Sequence, residues 1–254
     1  MTTPYQGEGP LVLAHRGGGG ESFENSWASL EHMRAHGLTA METDARVTSD
    51  GVVVLHHDAT LQRLCGRPDQ LRSITWRELS TVQDGSGNPL VRLEDALTAF
   101  PEMRFNVDAK DVRVVGPLAD IASRYRDRVV ISSFSSFRLA LANRYAPGAY
   151  RSMGMSGVGL LRVLSAISRG ATVALNPVGR GVIAVQVPES YSGIPVTTPS
   201  FIAAAHRLNL EVHVWTVDDV AVAERLVGAG VDGIVTDMPA AMAAHFAAKG
   251  PLRR

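Results

Sequence analysis

Two histidines, three carboxylates, one arginine and one lysine stand at the points where apolar runs of the sequence end. They are His15 and Arg16, Glu42 and Asp44, His57, and Asp108 and Lys110. A histidine can accept or donate a proton near neutral pH. Carboxylate oxygens are ligands that suit Mg²⁺ or Ca²⁺, and basic side chains suit a phosphate group. Together these residue types predict metal-assisted attack on a phosphate ester.

The spacing of the carboxylates supports a shared site. Glu42 and Asp44 are two residues apart on a predicted strand, so both side chains point to the same face, and Asp108 with Lys110 repeats this arrangement. Three neighbouring carboxylates repel one another unless a cation compensates them. A divalent cation together with Arg16 and Lys110 would leave a surplus of about one positive charge, which a phosphodiester would balance.

His15 and His57 are the candidate acid–base pair. His56 directly precedes His57, and strand alternation points it to the opposite side, so the pattern favours His57. The other histidines are interpreted as structural. They are His32, His36, His206, His213 and His245.

The glycine run at 17–20 allows two interpretations. Its backbone N–H groups could approach a phosphate at the start of a helix, or the run could be a plain loop. It matches neither a Walker loop nor a dinucleotide-binding motif.

The elements that must position these residues alternate between short β-rich runs and stretches of helical length. This pattern predicts an α/β fold, a single TIM (β/α)8 barrel over residues 1–254, with a short hairpin arm at 52–55 and a long loop after strand 2, at 59–90. The predicted barrel strands are 11–14, 39–44, 104–109, 128–132, 149–153, 183–187, 211–216 and 233–236. The predicted helices are 25–36, 75–79, 114–125, 137–144, 160–168, 199–208, 220–229 and 239–247.

The composition of the chain limits which classes of partner it is expected to bind. The 25 basic and 25 acidic residues cancel, which argues against a nucleic-acid partner and leaves a small-molecule phosphodiester substrate. The single cysteine, Cys65, fits a reducing compartment, and we expect a cytoplasmic protein without stable membrane insertion. The oligomeric state is left open.

Several motifs, taken in order, resemble those of the glycerophosphodiester phosphodiesterase family. The resemblance covers nearly the whole chain. The matching segments are His15-Arg16-Gly17, Glu24-Asn25-Ser26, Glu42-Thr43-Asp44, His57-Asp58, Thr60-Leu61 with Arg63, Thr75 to Leu79, Leu93 to Leu97, Asn106 to Lys110, Val214 to Val217 and Gly230 to Pro239.

The resemblance implies a TIM barrel that hydrolyses glycerophosphodiesters to an alcohol and sn-glycerol 3-phosphate with a divalent metal, Mg²⁺ or Ca²⁺. It further implies roles for single residues. These are His15 and His57 as the acid–base pair, Glu42, Asp44 and Asp108 as metal ligands, Arg16 and Lys110 on the phosphate, and Trp215 beside the glycerol.

The chain departs from the family pattern at three places. Asp108 stands where the family usually has glutamate, Phe23 replaces a proline, and Leu64-Cys65 replaces two threonines. Two alternatives remain: a lysophospholipase D-type phosphodiesterase acting on lipids, and a non-catalytic barrel that binds glycerol phosphate.

Overall fold

Parallel strands close into a barrel, as the alternating pattern predicts. The computed structural model describes residues 3–5, 7–167 and 178–253. The strands of these residues are β1 (Leu11–His15), β2 (Ala40–Val47), β3 (Val53–Leu55), β4 (Arg104–Ala109), β5 (Val129–Ser132), β6 (Tyr150–Ser152), β7 (Val182–Val187), β8 (Ser190–Tyr191), β9 (Ile194–Pro195), β10 (Glu211–Val214) and β11 (Gly233–Thr236). In this described part, all but β3, β8 and β9 run parallel around the barrel, and β1 closes it by pairing with both β11 and β2.

Two antiparallel hairpins are attached to the barrel. The predicted arm is present, because β3 folds back on β2 with Ala45 opposite Leu55. The β8–β9 hairpin is absent from the sequence prediction. Its turn residues Ser192 and Gly193 have φ values of 50° and 78°, and two positive φ values are typical of a tight hairpin turn.

Helices connect the strands and cover the outside of the barrel. They are α1 (Trp27–Ala35), α2 (Gln62–Cys65), α3 (Trp76–Leu79), α4 (Leu93–Ala99), α5 (Val115–Arg124), α6 (Ser136–Tyr145), α7 (Met155–Ile167), α8 (Pro199–Arg207), α9 (Val220–Gly228) and α10 (Pro239–Ala247). Side chains of Ser26, Thr198 and Asp219 accept hydrogen bonds from the first turns of α1, α8 and α9, which explains where these helices begin.

Among the predicted helices, the one at 160–168 differs most at its start. In the structure this helix begins at Met155. The prediction starts five residues later because Gly157 and Gly159 weaken the helical pattern of the first turns. Residue 168 lies outside the described residues.

The segment after β3 is more ordered than the predicted loop. It contains α2, a short 3₁₀ helix (Leu71–Ser73) and α3. Buried apolar side chains give it a small core of its own. They are Val54, Leu61, Leu71, Ile74, Leu79, Val82 and Leu90. The segment is therefore a packed insertion beside the mouth of the barrel.

No helix in the described ranges combines the length and the apolar character that crossing a bilayer requires.

Candidate active site

The strand register brings the predicted site residues to one end of the barrel. His15 at the end of β1 lies opposite Glu42 on β2, and Asp44 lies opposite Asp108 on β4. These positions are at the carboxyl ends of parallel strands, where barrels of this class place their chemistry.

A cavity of about 530 Å³ opens at this end of the barrel. All the residues predicted from sequence for catalysis, substrate binding and metal binding line it. They are His15, Arg16, Glu42, Asp44, His57, Asp108, Lys110 and Trp215. Apolar side chains form the opposite part of the wall, among them Phe134, Met153, Met155 and Val158. The cavity therefore combines a charged half with an apolar half.

His15 is held by a carboxylate from the other end of the chain. Its Nδ1 lies 2.8 Å from Asp237 Oδ1, and its Nε2 lies 3.8 Å from Glu42 Oε2. Burial alone would lower the pKa of His15, but the hydrogen bond to Asp237 and the charges of Glu42 and Asp237 outweigh burial and raise it. With Nδ1 occupied by Asp237, Nε2 is the nitrogen that is free to exchange a proton in the cavity.

His57 is held in the same way by its neighbour. Its Nδ1 lies 2.8 Å from Asp58 Oδ1, and Arg63 Nε donates to Asp58 Oδ2 over 2.6 Å. Burial opposes ionisation of Asp58, but the hydrogen bonds from Arg63 and His57 prevail and lower its pKa to about 2. Both candidate histidines thus carry a carboxylate on Nδ1.

His56 turns away from the cavity. Its side chain is buried, Nε2 lies 3.1 Å from the Thr60 carbonyl oxygen, and burial lowers its pKa. The structure thus places His57, rather than His56, at the cavity wall.

Lys110 bridges two buried carboxylates. Its Nζ lies 2.7 Å from Asp44 Oδ1 and 2.7 Å from Asp108 Oδ2. Burial would raise the pKa of Asp44, but Lys110, followed by Arg16 and His57, lowers it. The same two aspartates raise the pKa of Lys110 against the effect of its burial.

Arg16 reaches Asp44 from a strained backbone position. Its Nε lies 3.2 Å from Asp44 Oδ2, and Nη1 lies 3.2 Å from Glu24 Oε1. The φ of Arg16 is 54°, a left-handed conformation that costs a non-glycine residue about 1 kcal/mol or more. Backbone hydrogen bonds to Glu42 and Asn25 hold it there. Strain of this kind is concentrated at functional sites.

Glu42 is the least compensated acid of the site. Burial and the charge of Asp44 raise its pKa to about 8, although His15 acts in the opposite direction. Within the described residues, the buried atoms Glu42 Oε2 and Asp108 Oδ1 have no hydrogen-bond partner. Two unpaired carboxylate oxygens beside a third carboxylate are a donor set that fits a hard divalent cation.

The described side chains do not form a ready three-ligand metal cluster. No group of three or more His, Cys, Asp or Glu in this part of the chain is arranged to hold a metal ion as it stands. Lys110 instead lies between Asp44 and Asp108.

The glycine run packs against the last βα connection. A side chain at Gly18 would lie 2.7 Å from Pro239, and one at Gly20 would lie 2.7 Å from Met238. The amides of residues 17–20 already donate to backbone carbonyls, among them those of His15 and Asp237. The structure therefore supports the loop interpretation over the phosphate-binding one.

Comparison with known proteins decides the family. Residues 15–241 match the model of the glycerophosphoryl diester phosphodiesterase family. The chain belongs to this family. It is 35% identical over 234 residues to the probable glycerophosphodiester phosphodiesterase 2 of Mycobacterium tuberculosis, covering 90% of this chain and 88% of the relative. Human lysophospholipase D GDPD3 is 24% identical over 284 residues, with 95% and 86% covered.

A solved phosphodiesterase shows the same fold. An Oleispira antarctica phosphodiesterase, solved in complex with the product sn-glycerol-3-phosphate, aligns with a TM-score of 0.73 and 21% identity, covering 92% of this chain and 96% of that one. Membership in the glycerophosphoryl diester phosphodiesterase family confirms two expectations drawn from the motifs: the barrel fold and a hydrolase of phosphoric diesters.

The sequence interpretation missed residues that position the predicted ones. Asp237 and Asp58 fall inside segments that carry the family resemblance, but the motifs assign neither residue a function, whereas the structure pairs them with His15 and His57. Asn106 and Gln186 line the cavity and are joined by a 3.2 Å hydrogen bond across the barrel. The spacing of Asn106, two residues before Asp108, was the available signal for a shared face.

Proposed function

We propose that the charged half of the cavity hydrolyses glycerophosphodiesters to an alcohol and sn-glycerol 3-phosphate. The observation that carries the proposal is the convergence of His15 and His57 on one cavity that Arg16 and Lys110 also line. Each histidine is paired through Nδ1 with a carboxylate, which leaves Nε2 for proton transfer. Family membership and the product held by the Oleispira antarctica relative support the substrate class.

The reaction divides proton transfer between the two histidines. One Nε2 accepts the proton of the attacking oxygen as its bond to phosphorus forms. The other Nε2 donates a proton to the alcohol oxygen as its bond to phosphorus breaks. Proton transfer of this kind contributes about 10²–10⁴-fold to a rate. Asp237 and Asp58 hold the two imidazoles in position and stabilise their protonated forms.

Arg16 and Lys110 bind the phosphate in this proposal. Both side chains are mostly shielded from solvent, at 20% and 17% exposed, where charge-assisted hydrogen bonds to phosphate oxygens are strengthened. Trp215 packs edge-on against Phe134, with ring centroids 5.4 Å apart, and we propose that it borders the glycerol.

Glu42, Asp44 and Asp108 are the residues that would hold a divalent cation, Mg²⁺ or Ca²⁺. The unpaired oxygens of Glu42 and Asp108 and the raised pKa of Glu42 support this choice. A cation bound there would neutralise charge on the phosphoryl oxygens.

A single-chain phospholipid is the second candidate substrate. The observation that favours it is the apolar part of the cavity wall, where Phe134, Met155 and Tyr191 reach solvent. An aliphatic chain would lie against these side chains while the phosphodiester occupies the charged half.

The substrate test is a product-resolved assay. Purified protein with Mg²⁺ or Ca²⁺ is given glycerophosphodiesters of choline, ethanolamine, glycerol and inositol, and sn-glycerol 3-phosphate is measured with its dehydrogenase. We expect this product from at least one diester. Absence of sn-glycerol 3-phosphate from all four, with folded protein, would refute the proposal.

We propose the cytoplasm as the location, supported by a single cysteine, Cys65, that is free. Cell fractionation with an antibody tests this, and recovery in an extracellular fraction would contradict it.

A further inference from the structure

Exposed apolar side chains are concentrated around the mouth of the cavity. Among the large apolar residues that are exposed in the described part of the chain, only Val112 and Tyr145 lie outside three neighbouring segments. The others form what we call the apolar rim: Phe134, Phe137, Met155, Leu160, Val163, Ile167, Tyr191 and Ile194. Exposed apolar side chains grouped on neighbouring segments are typical of an interaction surface.

Hydrogen bonds join the segments of the rim into one surface. The backbone N–H of Met155 donates to the carbonyl of Phe134 over 3.3 Å. Across the mouth, Arg162 Nε donates to the carbonyl of Pro195 over 3.2 Å, which connects α7 to the β8–β9 hairpin. These two contacts place the loop after β5, helix α7 and the β8–β9 hairpin next to one another.

Helix α7 turns an apolar stripe to solvent. Leu160, Val163 and Ile167 are spaced three and four residues apart, so they share one face, and Val163 and Ile167 are 57% and 68% exposed. Leu161 and Leu164 are buried on the other side. The helix has no acidic residue. These exposed side chains favour an apolar environment over water.

The rim leads directly into the cavity. Phe134, Met155 and Tyr191 belong to the rim and also line the cavity, and Arg162 adds one cation at the same wall. A protein partner or a second copy seated on the rim would cover the mouth and block the substrate. A phospholipid surface carries phosphodiesters itself, so contact with it brings substrate groups to the cavity. Its phosphates also complement Arg162.

We propose that the apolar rim docks this protein on the surface of a phospholipid membrane, with the cavity opening toward the lipid headgroups. This inference rests on the proposed phosphodiesterase function, because a lipid surface is a source of substrate only for an enzyme that hydrolyses phosphodiesters. The stripe of α7 and the tip of the β8–β9 hairpin enter the interface, and the barrel stays in water.

The test is co-sedimentation with sucrose-loaded vesicles of phosphatidylcholine. We compare the wild-type protein with Val163→Glu, with Val163→Glu/Ile167→Glu, and with the matched control Tyr145→Glu, which changes an exposed apolar residue off the rim. The wild type and Tyr145→Glu are expected to sediment with vesicles. The double variant is expected to lose vesicle affinity by about tenfold or more, because charges resist burial among acyl chains.

Hydrolysis of glycerophosphocholine, which has no aliphatic chain, separates this proposal from the proposed function. The rim variants are expected to hydrolyse it as the wild type does, since Val163 and Ile167 do not line the cavity among the described residues. A wild type that hydrolyses it but stays in the supernatant overturns docking alone. So does equal sedimentation of all variants, or a wild-type dimer in sedimentation velocity that Val163→Glu dissociates. Vesicle binding without hydrolysis of glycerophosphodiesters of choline, ethanolamine, glycerol and inositol overturns the proposed function instead.

Discussion

Replacing Asp237 with asparagine isolates the contribution of the carboxylate that orients His15. The change keeps the shape of the side chain but removes its charge, so the 2.8 Å contact with His15 Nδ1 becomes a neutral hydrogen bond. A hydrogen bond to a charged group contributes about 1.5–3 kcal/mol and a neutral one about 0.5–1.5 kcal/mol. The side chain of Asp237 is 33% exposed, and solvent screens its charge. We therefore expect the hydrogen bond to His15 to lose about 1 kcal/mol, near the lower end of the difference between a charged and a neutral hydrogen bond.

The expected kinetic result is a fall of about fivefold in kcat. Asp237 is not among the described residues that line the cavity, so KM for glycerophosphocholine should stay within about twofold of the wild-type value. The matched control is Asp232→Asn, which alters another 2.8 Å aspartate–histidine pair, with His206, away from the cavity. Its kcat should not change. A kcat for Asp237→Asn equal to that of the wild type, or an effect on KM alone, would refute the positioning argument.

The remaining predictions concern the other charged groups. His57→Ala should lower kcat about 10²–10⁴-fold, measured with a saturating diester, because a proton-transfer group is lost; a kcat equal to that of the wild type would contradict this. Lys110→Met should lower the free energy of unfolding in urea by about 3 kcal/mol, because Asp44 and Asp108 lose their shared cation. Millimolar Mg²⁺ or Ca²⁺ should recover part of that loss, and a stability insensitive to these ions would argue against the metal site. EDTA should abolish hydrolysis, and either ion should restore it; full activity in EDTA would contradict the metal requirement.

The barrel strands were predictable because each is a short apolar run that ends in a polar cluster. The boundaries of β1, β4 and β11 differ from the predictions by at most one residue. The same pattern placed the carboxylates Glu42, Asp44 and Asp108 at strand ends, where the register brings Asp44 opposite Asp108.

The insertion after β3 was not predictable in the same way. Its core is assembled from Leu61, Leu71, Leu79 and Leu90, which follow neither a helical nor a strand period. Tertiary packing among short elements holds them together, so the sequence shows only a long polar segment.

Of the two carboxylates that orient the histidines, one was predictable from the sequence and the other was not. Asp58 is adjacent to His57, so their contact was within reach of sequence reasoning. Asp237 meets His15 across 222 residues, because β11 pairs with β1 where the barrel closes. Only the closed sheet reveals that pair. The β8–β9 hairpin had a signal in Ser192-Gly193, but its two-residue strands are too short for a pattern.

The central claim is that His15 and His57 hydrolyse a glycerophosphodiester in this cavity. Its most direct test is ³¹P NMR of the glycerophosphodiesters of choline, ethanolamine, glycerol and inositol, each incubated with Mg²⁺ or Ca²⁺ and wild-type protein, His15→Ala or His57→Ala. The account predicts that the wild type converts at least one diester to sn-glycerol 3-phosphate and that either variant forms this product about 10²–10⁴-fold more slowly. A phosphorylated alcohol such as phosphocholine as the product, or sn-glycerol 3-phosphate formed at the wild-type rate by either variant, would contradict it.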